Sequence, residues 1–461
     1  VTYLTVPFFH YVFGVLPIWP AWLAATAAGL YLILFKERFD PRTTVFWIAV
    51  LFALPVAGLL VYLYCGSTLG SRIVGGSKAR REASYFGDDG ISEPECGELE
   101  GLARSFGADV CVGGSRASLN WSGSEGENAF LDAVKTAKRS IHIEARRLAS
   151  GDFGRRLTGE LCEKACSGVD VRLLTSSYGF GRTPGLRTMK RAGILHSTLR
   201  PRIVAALSIR TFDRDLRDFA VMDGTTAFLG TDAFVALEGR AASRMGARFL
   251  ADWAHAARAP FDPMPDAVPS GDDSVQAIPS GPDSGDAMLR TCSALISGAR
   301  RSLYLAFPFM IPGDEMYDSI RQAALAGTEV VLLLPVRCRH WYQKWNSLAS
   351  SGPLTDAGVK VFFSRRPVPG TIAVADRDVC IIGTGVYNSR SLDADYTINV
   401  MVRSRRFASV MSDRFTDEIA GAAELTFEDY QGRSFADQFK IAVSRMLMFL
   451  NRCGDSSQIC L

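Results

Sequence analysis

The chain has 461 residues, 48% of them hydrophobic and 21% charged, with a mean hydropathy of +0.10. At roughly 100–200 residues per domain this length provides for about two to four domains, and the composition excludes a disordered or fibrous chain. With 51 Lys and Arg against 48 Asp and Glu, the net charge of +3 supplies no whole-chain basic field for nucleic acid, so any attraction to anionic lipid must come from local patches.

No charged residue occurs in residues 1–35, and after the polar loop 36–42 the chain is again uncharged over 43–71. The apolar core of the second run, residues 45–64, is 20 residues long, enough at a rise of about 1.5 Å to cross about 30 Å of hydrocarbon. Trp19, Trp22, Trp47, Tyr62 and Tyr64 lie near the run ends, where interfacial aromatics belong. A signal peptide is disfavoured by the missing basic n-region and by the second run directly behind the first. Residues 1–71 are therefore read as a two-helix transmembrane anchor, placing the protein as a multi-pass membrane protein. The basic residues Arg72, Lys78, Arg80 and Arg81 after the second run, against Lys36, Arg38 and Arg42 in the loop, give a slight lean toward a cytoplasmic bulk.

Residues 72–107 are polar and Gly-rich and read as a linker. Beyond them three segment pairs recur in the same order. Ala137-Lys-Arg-Ser-Ile-His-Ile143 matches Ala299-Arg-Arg-Ser-Leu-Tyr-Leu305, each the end of an amphipathic helix running into a strand. Ala165-Cys-Ser-Gly-Val-Asp-Val-Arg-Leu-Leu174 matches Ala324-Leu-Ala-Gly-Thr-Glu-Val-Val-Leu-Leu333, a helix stopped by Gly168 or Gly327 before an apolar strand. Phe219-Ala-Val-Met-Asp-Gly-Thr-Thr-Ala-Phe-Leu-Gly-Thr231 matches Ile372-Ala-Val-Ala-Asp-Arg-Asp-Val-Cys-Ile-Ile-Gly-Thr384, two strands joined by a tight Asp turn. Such a repeat predicts an α/β protein of two duplicated α/β/α halves about a pseudo-twofold, with a cleft between them. The first half is placed at 108–259, a linker with six prolines at 260–286, the second half at 287–430, and an amphipathic helix and tail at 431–461.

The ten cysteines form no Cys-x-x-Cys pair and no Cys/His cluster of zinc spacing, so the expectation is reduced thiols, no metal and no cofactor. Gly383-Thr-Gly385 lacks the lysine of a phosphate loop.

Several phrases together carry a family resemblance: Val275-Gln-Ala-Ile-Pro-Ser-Gly-Pro-Asp-Ser284, Phe307-Pro-Phe-Met-Ile-Pro312, Asn388-Ser-Arg-Ser-Leu392, residues 128–144, and Phe249-Leu-Ala-Asp-Trp253. With the anchor in front of them, they resemble the bacterial cardiolipin synthases of the phospholipase D superfamily. The resemblance covers essentially the whole chain and implies phospholipase D-like halves. It also implies one His-x-Lys-x4-Asp motif per half. In that chemistry one histidine attacks a lipid phosphorus, the partner histidine protonates the leaving glycerol, and the lysines hold the phosphate oxygens.

On this sequence the first motif falls on Leu216-Arg-Asp-Phe-Ala-Val-Met-Asp223 and the second on Pro369-Gly-Thr-Ile-Ala-Val-Ala-Asp376. Leu216 and Pro369 stand in place of histidine, and Asp218 and Thr371 in place of lysine. Only Asp223 and Asp376 match. The family's later Asn and Glu fall on Val386 and Thr397, and the first half looks short between Thr231 and Glu238. Leucine is no nucleophile, proline lacks even a backbone N–H, and a carboxylate at 218 repels a phosphodiester. None of the five histidines, His10, His142, His196, His255 and His340, has a lysine two positions on. His142 is expected in the core, and His196, His255 and His340 on surface helices or loops. Asp223 and Asp376 are expected to be turn residues.

These features predict a membrane-anchored, cardiolipin synthase-like protein that has lost catalysis. Its expected role is as a partner or regulator of an active cardiolipin synthase relative, or as a binder of anionic lipids such as phosphatidylglycerol. An active phosphatidyltransferase converting two phosphatidylglycerols to cardiolipin and glycerol is the alternative. A membrane-tethered nucleic-acid binder is a third, opposed by the near-neutral charge. Two further features could serve anionic membranes: the basic stretch Arg182, Arg187, Lys190, Arg191, Arg200, Arg202 and Arg210, and the amphipathic segment with Phe435, Phe439, Val443, Met446, Leu447 and Leu450 beside Lys440, Arg445 and Arg452. A solvated face and packing on the chain's own domain are their simpler uses.

Overall fold

The structure is a computed structural model and describes residues 18–36, 41–63, 78, 81, 82, 85, 86, 97–121, 123–146, 148, 151–175, 185–199, 217–230, 235–281, 284, 287–338, 340–366, 368, 370–384 and 396–446. The chain divides into two compact units, one holding the N-terminal helices and the other nearly all of the rest.

In the first unit, α1 (Ile18–Tyr31) continues as a π-helix over Leu32–Lys36. It is followed by α2 (Pro41–Ala53) and α3 (Pro55–Val61). Ile33, Trp47, Leu51 and Tyr62 form its small core, with the Trp47 and Tyr62 rings edge to face at 5.5 Å. Among the described residues the uncharged runs form no long α-helix. α1 has 14 residues and α2 has 13, about 20 Å each at a rise of about 1.5 Å per residue. Pro55 starts a new helix, so Leu54 leaves helical geometry at φ −141° and the second run is cut in two. No helix among the described residues is long and apolar enough to cross a membrane, which corrects the expectation of a two-helix transmembrane anchor.

The second unit starts with α4 (Glu98–Ser105), β1 (Val112–Leu119), α5 (Gly123–Thr136), β2 (Ser140–Ala145), α6 (Gly151–Cys166), β3 (Asp170–Thr175), α7 (Leu186–Arg191) and β4 (Leu195–Thr198). It continues with β5 (Phe219–Met222), β6 (Thr226–Leu229), β7 (Val235–Gly239), α8 (Arg240–Ala257), β8 (Asp273–Ser280), α9 (Ala287–Gly298), β9 (Ser302–Ala306), α10 (Asp314–Leu325) and β10 (Glu329–Pro335). Then come α11 (Trp341–Thr355), β11 (Lys360–Ser364), β12 (Thr371–Ala375), β13 (Val379–Gly383), β14 (Thr397–Arg403), α12 (Arg405–Ala420), β15 (Ala423–Leu425), α13 (Phe427–Gln431) and α14 (Phe435–Met446).

All the strands described join one sheet in the order β15-β11-β10-β9-β12-β13-β14-β8-β1-β7-β6-β5-β2-β3-β4. Outward from the antiparallel β8–β1 pair the two sides mirror each other: β7, β6, β5, β2, β3, β4 against β14, β13, β12, β9, β10, β11. On each side three strands, β2, β3, β4 and β9, β10, β11, are parallel and the rest antiparallel, with β15 an antiparallel edge beyond β11. The architecture is thus mixed α/β around one large sheet.

One apolar layer lies beneath α5 and α6, with Phe130, Ile141, Leu161 and Leu173. Another lies beneath α9 and α10, with Leu295, Leu303, Ile320 and Leu332. A third joins Phe219, Val221 and Phe249 to Ile372, Val374 and Phe415, so both sides share a continuous core with α8 and α12.

Both segments read as linkers contain ordered structure. Within 72–107, α4 is tied down by Glu100, whose carboxylate takes Nε and Nη2 of Arg403 at 2.5 and 2.9 Å. Within 260–286, β8 pairs with both β14 and β1 and so sits at the centre of the sheet. The short-looking stretch before Glu238 still yields β7, hydrogen-bonded on both sides.

Candidate functional site

The two aspartates that match the motif act at the hairpin turns. Asp223 and Gly224 have φ of 53° and 72°, and Asp376 and Arg377 have 52° and 56°. These are the left-handed pairs that a tight turn between twisted strands needs. Each carboxylate then collects three backbone N–H groups from the junction of a helix and a strand. Asp223 accepts from Lys138, Arg139 and Ser140 at 2.9, 2.7 and 2.9 Å. Asp376 accepts from Arg300, Arg301 and Ser302 at 3.0, 2.7 and 3.0 Å. Burial pushes both carboxyls up, but these donors outweigh it and hold both below the usual carboxylate range. The donors lie in the first pair of repeated segments, so the repeat and the aspartate are two parts of one local lock.

Asp218 and Thr371 lie at the other ends of β5 and β12. Thr371 and Asp376 are separated by the length of β12, roughly 17 Å at about 3.4 Å per residue. Thr371 is fully buried and faces Gly383 in the ladder. Gly383 is there because a Cβ would collide with the backbone of Asn399 at 2.6 Å. Thr397 is fully buried, its hydroxyl 2.5 Å from that of Ser280. Asp218 is buried, and its Oδ1 accepts the Arg146 backbone N–H at 2.9 Å. Leu216, Pro369, Val386 and Asn388–Leu392 lie outside the described residues.

Beside Asp218 lies a buried ionic network of which spacing and periodicity give no hint. Arg217, fully buried, donates to Asp252 Oδ2 at 2.6 Å. Lys78 reaches the other oxygen of Asp252 at 2.5 Å and Glu82 at 3.2 Å. Arg248 spans Glu82 at 2.8 Å and Asp109 at 2.5 Å. Lys78, Arg217 and Arg248 thus meet Glu82, Asp109 and Asp252, three charges of each sign. Burial opposes the charge on Asp252, but Arg217, Lys78 and Arg248 together hold its carboxyl below the usual range. The Tyr396 ring, at the start of β14, lies under both cations, 4.6 Å from Lys78 Nζ and 5.2 Å from the Arg217 guanidinium. This contact brings β5 and β14 together at the motif ends. A second tie is Glu418, which takes Trp121 Nε1 at 3.0 Å and Arg366 at 2.8 Å.

The histidines do not gather here. His142 is buried, stacked on Phe249 at 4.8 Å and 3.9 Å from Asp170. His196 lies on strand β4 rather than in a helix or loop, with Nε2 2.9 Å from the Thr175 hydroxyl. His340 precedes α11 and stacks on Tyr342, and His10 is outside the described residues. His255, in the last turn of α8, lines a cavity of about 790 Å³ with Arg81, Tyr85, Ser197, Thr198 and Arg258. Among the described residues that lining carries two guanidiniums and no acid, and it lies past the carboxyl end of β4, where α/β sheets usually hold ligands. Of the basic stretch, Arg187, Lys190 and Arg191 are exposed on α7, and Arg182, Arg200, Arg202 and Arg210 lie outside the described residues. Among the described residues no cluster of His, Cys, Asp and Glu could hold a metal ion, and the six described cysteines are free thiols.

Comparison with known proteins fits this architecture. The family profile described as "Cardiolipin synthase, PLD-like domain" matches residues 292–419, and that of the "Phospholipase_D-nuclease N-terminal" segment matches 24–66. A cardiolipin synthase of Staphylococcus aureus strain N315 is 25% identical over 90% of this chain and 93% of its own length. The major cardiolipin synthase ClsA of Bacillus subtilis strain 168 is 24% identical over 90% of this chain and 95% of its own. Among solved structures, the phosphatidylserine synthase of Haemophilus influenzae Rd KW20 superimposes with a TM-score of 0.54 at 11% identity. That alignment covers 73% of this chain and 93% of that one, a likeness of fold.

Proposed function

The chain belongs to the bacterial cardiolipin synthase family of the phospholipase D superfamily, and from that premise we propose that it is a catalytically silent member that holds anionic phospholipid at the membrane. One observation carries the reading. Where the family's first motif presents a lysine to phosphate, this chain has the buried carboxylate of Asp218, capped on a backbone N–H beside the charge-balanced Arg217–Asp252 pair. A phosphodiester entering there meets a carboxylate and guanidinium charge already spent on Asp252. Leu216, Pro369 and Thr371 supply no nucleophile of the required kind, no proton donor and no cation.

The headgroup is assigned instead to the cavity of Arg81, Ser197, Thr198, His255 and Arg258. The C-terminal end of α8 contributes only about −0.5 charge there, which two guanidiniums outweigh. The described N-terminal helices, which carry the family's N-terminal profile, are proposed to hold the chain at the bilayer despite their interrupted geometry. A membrane phospholipid is then the ligand, and an active relative the partner.

Titrating the detergent-solubilised full chain with short-chain phosphatidylglycerol, and separately with phosphatidylcholine, tests the binding half. At about 1.5 kcal/mol for each exposed charge-assisted contact, Arg81→Gln with Arg258→Gln should weaken phosphatidylglycerol binding about 100-fold. Equal affinity for the two lipids, or no change in the double variant, would remove the cavity from the account.

The second reading is an active cardiolipin synthase. It is favoured by the named relatives, which span about nine-tenths of the chain. It needs catalytic groups from outside the two motifs.

A further inference from the structure

We infer that the first turns of α11 and α14 form a second membrane contact, separate from the N-terminal helices, that seats the second unit on an anionic phospholipid surface.

The two helices lie side by side and run the same way. Lys440 Nζ sits 4.9 Å from the Trp345 ring centre, and five residues on, Arg445 donates to the Ala349 carbonyl at 3.2 Å. That register brings Phe435 level with the opening turn of α11, which carries Trp341. α14 buries Ile441 and Ser444 against the protein and leaves the opposite stripe bare. Phe435 is 83% exposed, Phe439 61% and Trp341 53%. Among the described residues of the second unit, these three are the strongly exposed large aromatics. An i, i+4 Phe pair beside a Trp is an apolar patch that water does not favour, and each ring gains about 1.5–3 kcal/mol on full burial.

The charges around the patch select the occupant. Arg337 and Lys344 flank Trp341 on the exposed surface, and Arg433 and Lys440 flank the two Phe residues. Lys440 pairs with Asp437 at 3.0 Å, and Asp429 accepts from the Thr426 hydroxyl at 2.6 Å without losing its charge. Arg337, Lys344 and Arg433 then face Asp429 and Glu428, an excess of one positive charge. Aromatic rings with Lys and Arg at their rim suit the interface of a bilayer carrying negative headgroups. The patch follows the carboxyl end of β10, so it lies at the same end of the second side as Thr371. Seating it on lipid would therefore turn the motif end toward the membrane. The inference uses none of the cavity residues and stands whether or not that cavity binds a headgroup.

The test reconstitutes the full chain in vesicles whose acyl chains are brominated. The Trp341 signal is taken as the difference between wild type and Trp341→Phe. In vesicles containing phosphatidylglycerol this signal should be blue-shifted and quenched by the bromines. Quenching should fall at least about twofold in phosphatidylcholine alone, in Lys344→Gln with Lys440→Gln, and in Phe435→Ser with Phe439→Ser, since each change removes part of a contact worth a few kcal/mol. All five substituted side chains are exposed, and unchanged circular dichroism confirms that the variants fold. A Trp341 signal that stays solvent-like in both lipids overturns the proposal. So does one that is blue-shifted but unquenched and depends on protein concentration, which would identify a second copy of the chain as the cover.

Discussion

Replacing Asp252 by Asn should destabilise the second unit by about 3–5 kcal/mol, the usual consequence of removing one partner from a buried ion pair. The geometry argues for the whole of that range. Asp252 is fully buried, and its two oxygens serve different cations, Lys78 at 2.5 Å and Arg217 at 2.6 Å. Losing its charge removes one of the carboxylates, Glu82, Asp109 and Asp252, that these three cations contact, so the buried cluster gains one unit of positive charge. Lys78 retains Glu82 at 3.2 Å, whereas Arg217 loses the carboxylate to which it donates. Removing the guanidinium as well should therefore restore stability: Asp252→Leu with Arg217→Met should sit within about 1–2 kcal/mol of wild type, since apolar replacement of a buried pair is often close to neutral. Urea unfolding of the detergent-solubilised chain, followed by tryptophan fluorescence, measures both. The folded-state pKa of Asp252 is lowered, so its stabilisation is complete above the unfolded value of about 3.9 and is lost as pH falls through the folded value. Asp252 itself should thus add no pH dependence between about pH 5 and 8. A loss below about 1 kcal/mol for Asp252→Asn, or a double variant no better than the single, would refute the reasoning.

The turn locks give a second expectation. Asp376→Asn keeps the left-handed turn but halves the carboxylate oxygens that take the Arg300, Arg301 and Ser302 amides. It should cost about 1–2 kcal/mol at this partly exposed site, and Asp223→Asn about the same, by the same unfolding measurement. Restoring the motifs by Leu216→His, Asp218→Lys, Pro369→His and Thr371→Lys should not restore catalysis. The Asp218→Lys change removes the cap on the Arg146 amide and adds a cation next to buried Arg217, and the larger side chain at position 371 would enter a fully buried space. The variant should show lowered stability and no cardiolipin from labelled phosphatidylglycerol; measurable product would show the surroundings of the motifs to be intact.

The hairpins at 219–229 and 371–383 are legible in the sequence because their information is local: apolar runs of strand length interrupted by an Asp turn. The repeated helix–strand junctions are legible for the same reason, and the structure ties the two together through Asp223 and Asp376. Strand β8 is hidden by its own composition. Only Val275, Ala277 and Ile278 mark it, among Gly, Asp and Pro279, and its strand character comes from ladders to β1 and β14 that lie far away in sequence. His196 is misplaced by local pattern because Leu195-His-Ser-Thr198 is an edge strand with no apolar alternation, held to β3 by backbone bonds. The ionic network escapes a reading of the sequence because Lys78 and Asp252 are 174 positions apart, and no periodicity links two charges at that separation. At the N-terminus, counting uncharged residues measures apolarity but not helix continuity, which Pro55 and the π-helical turn interrupt.

The central claim is that the family's fold persists here without the family's phosphoryl chemistry. The most direct measurement places the purified full chain in vesicles of labelled phosphatidylglycerol and follows labelled cardiolipin and glycerol over time. The expected result is no cardiolipin above that from an empty-vector preparation carried through the same purification. Cardiolipin appearing in proportion to added protein, with glycerol released alongside it, would contradict the claim and establish the active reading.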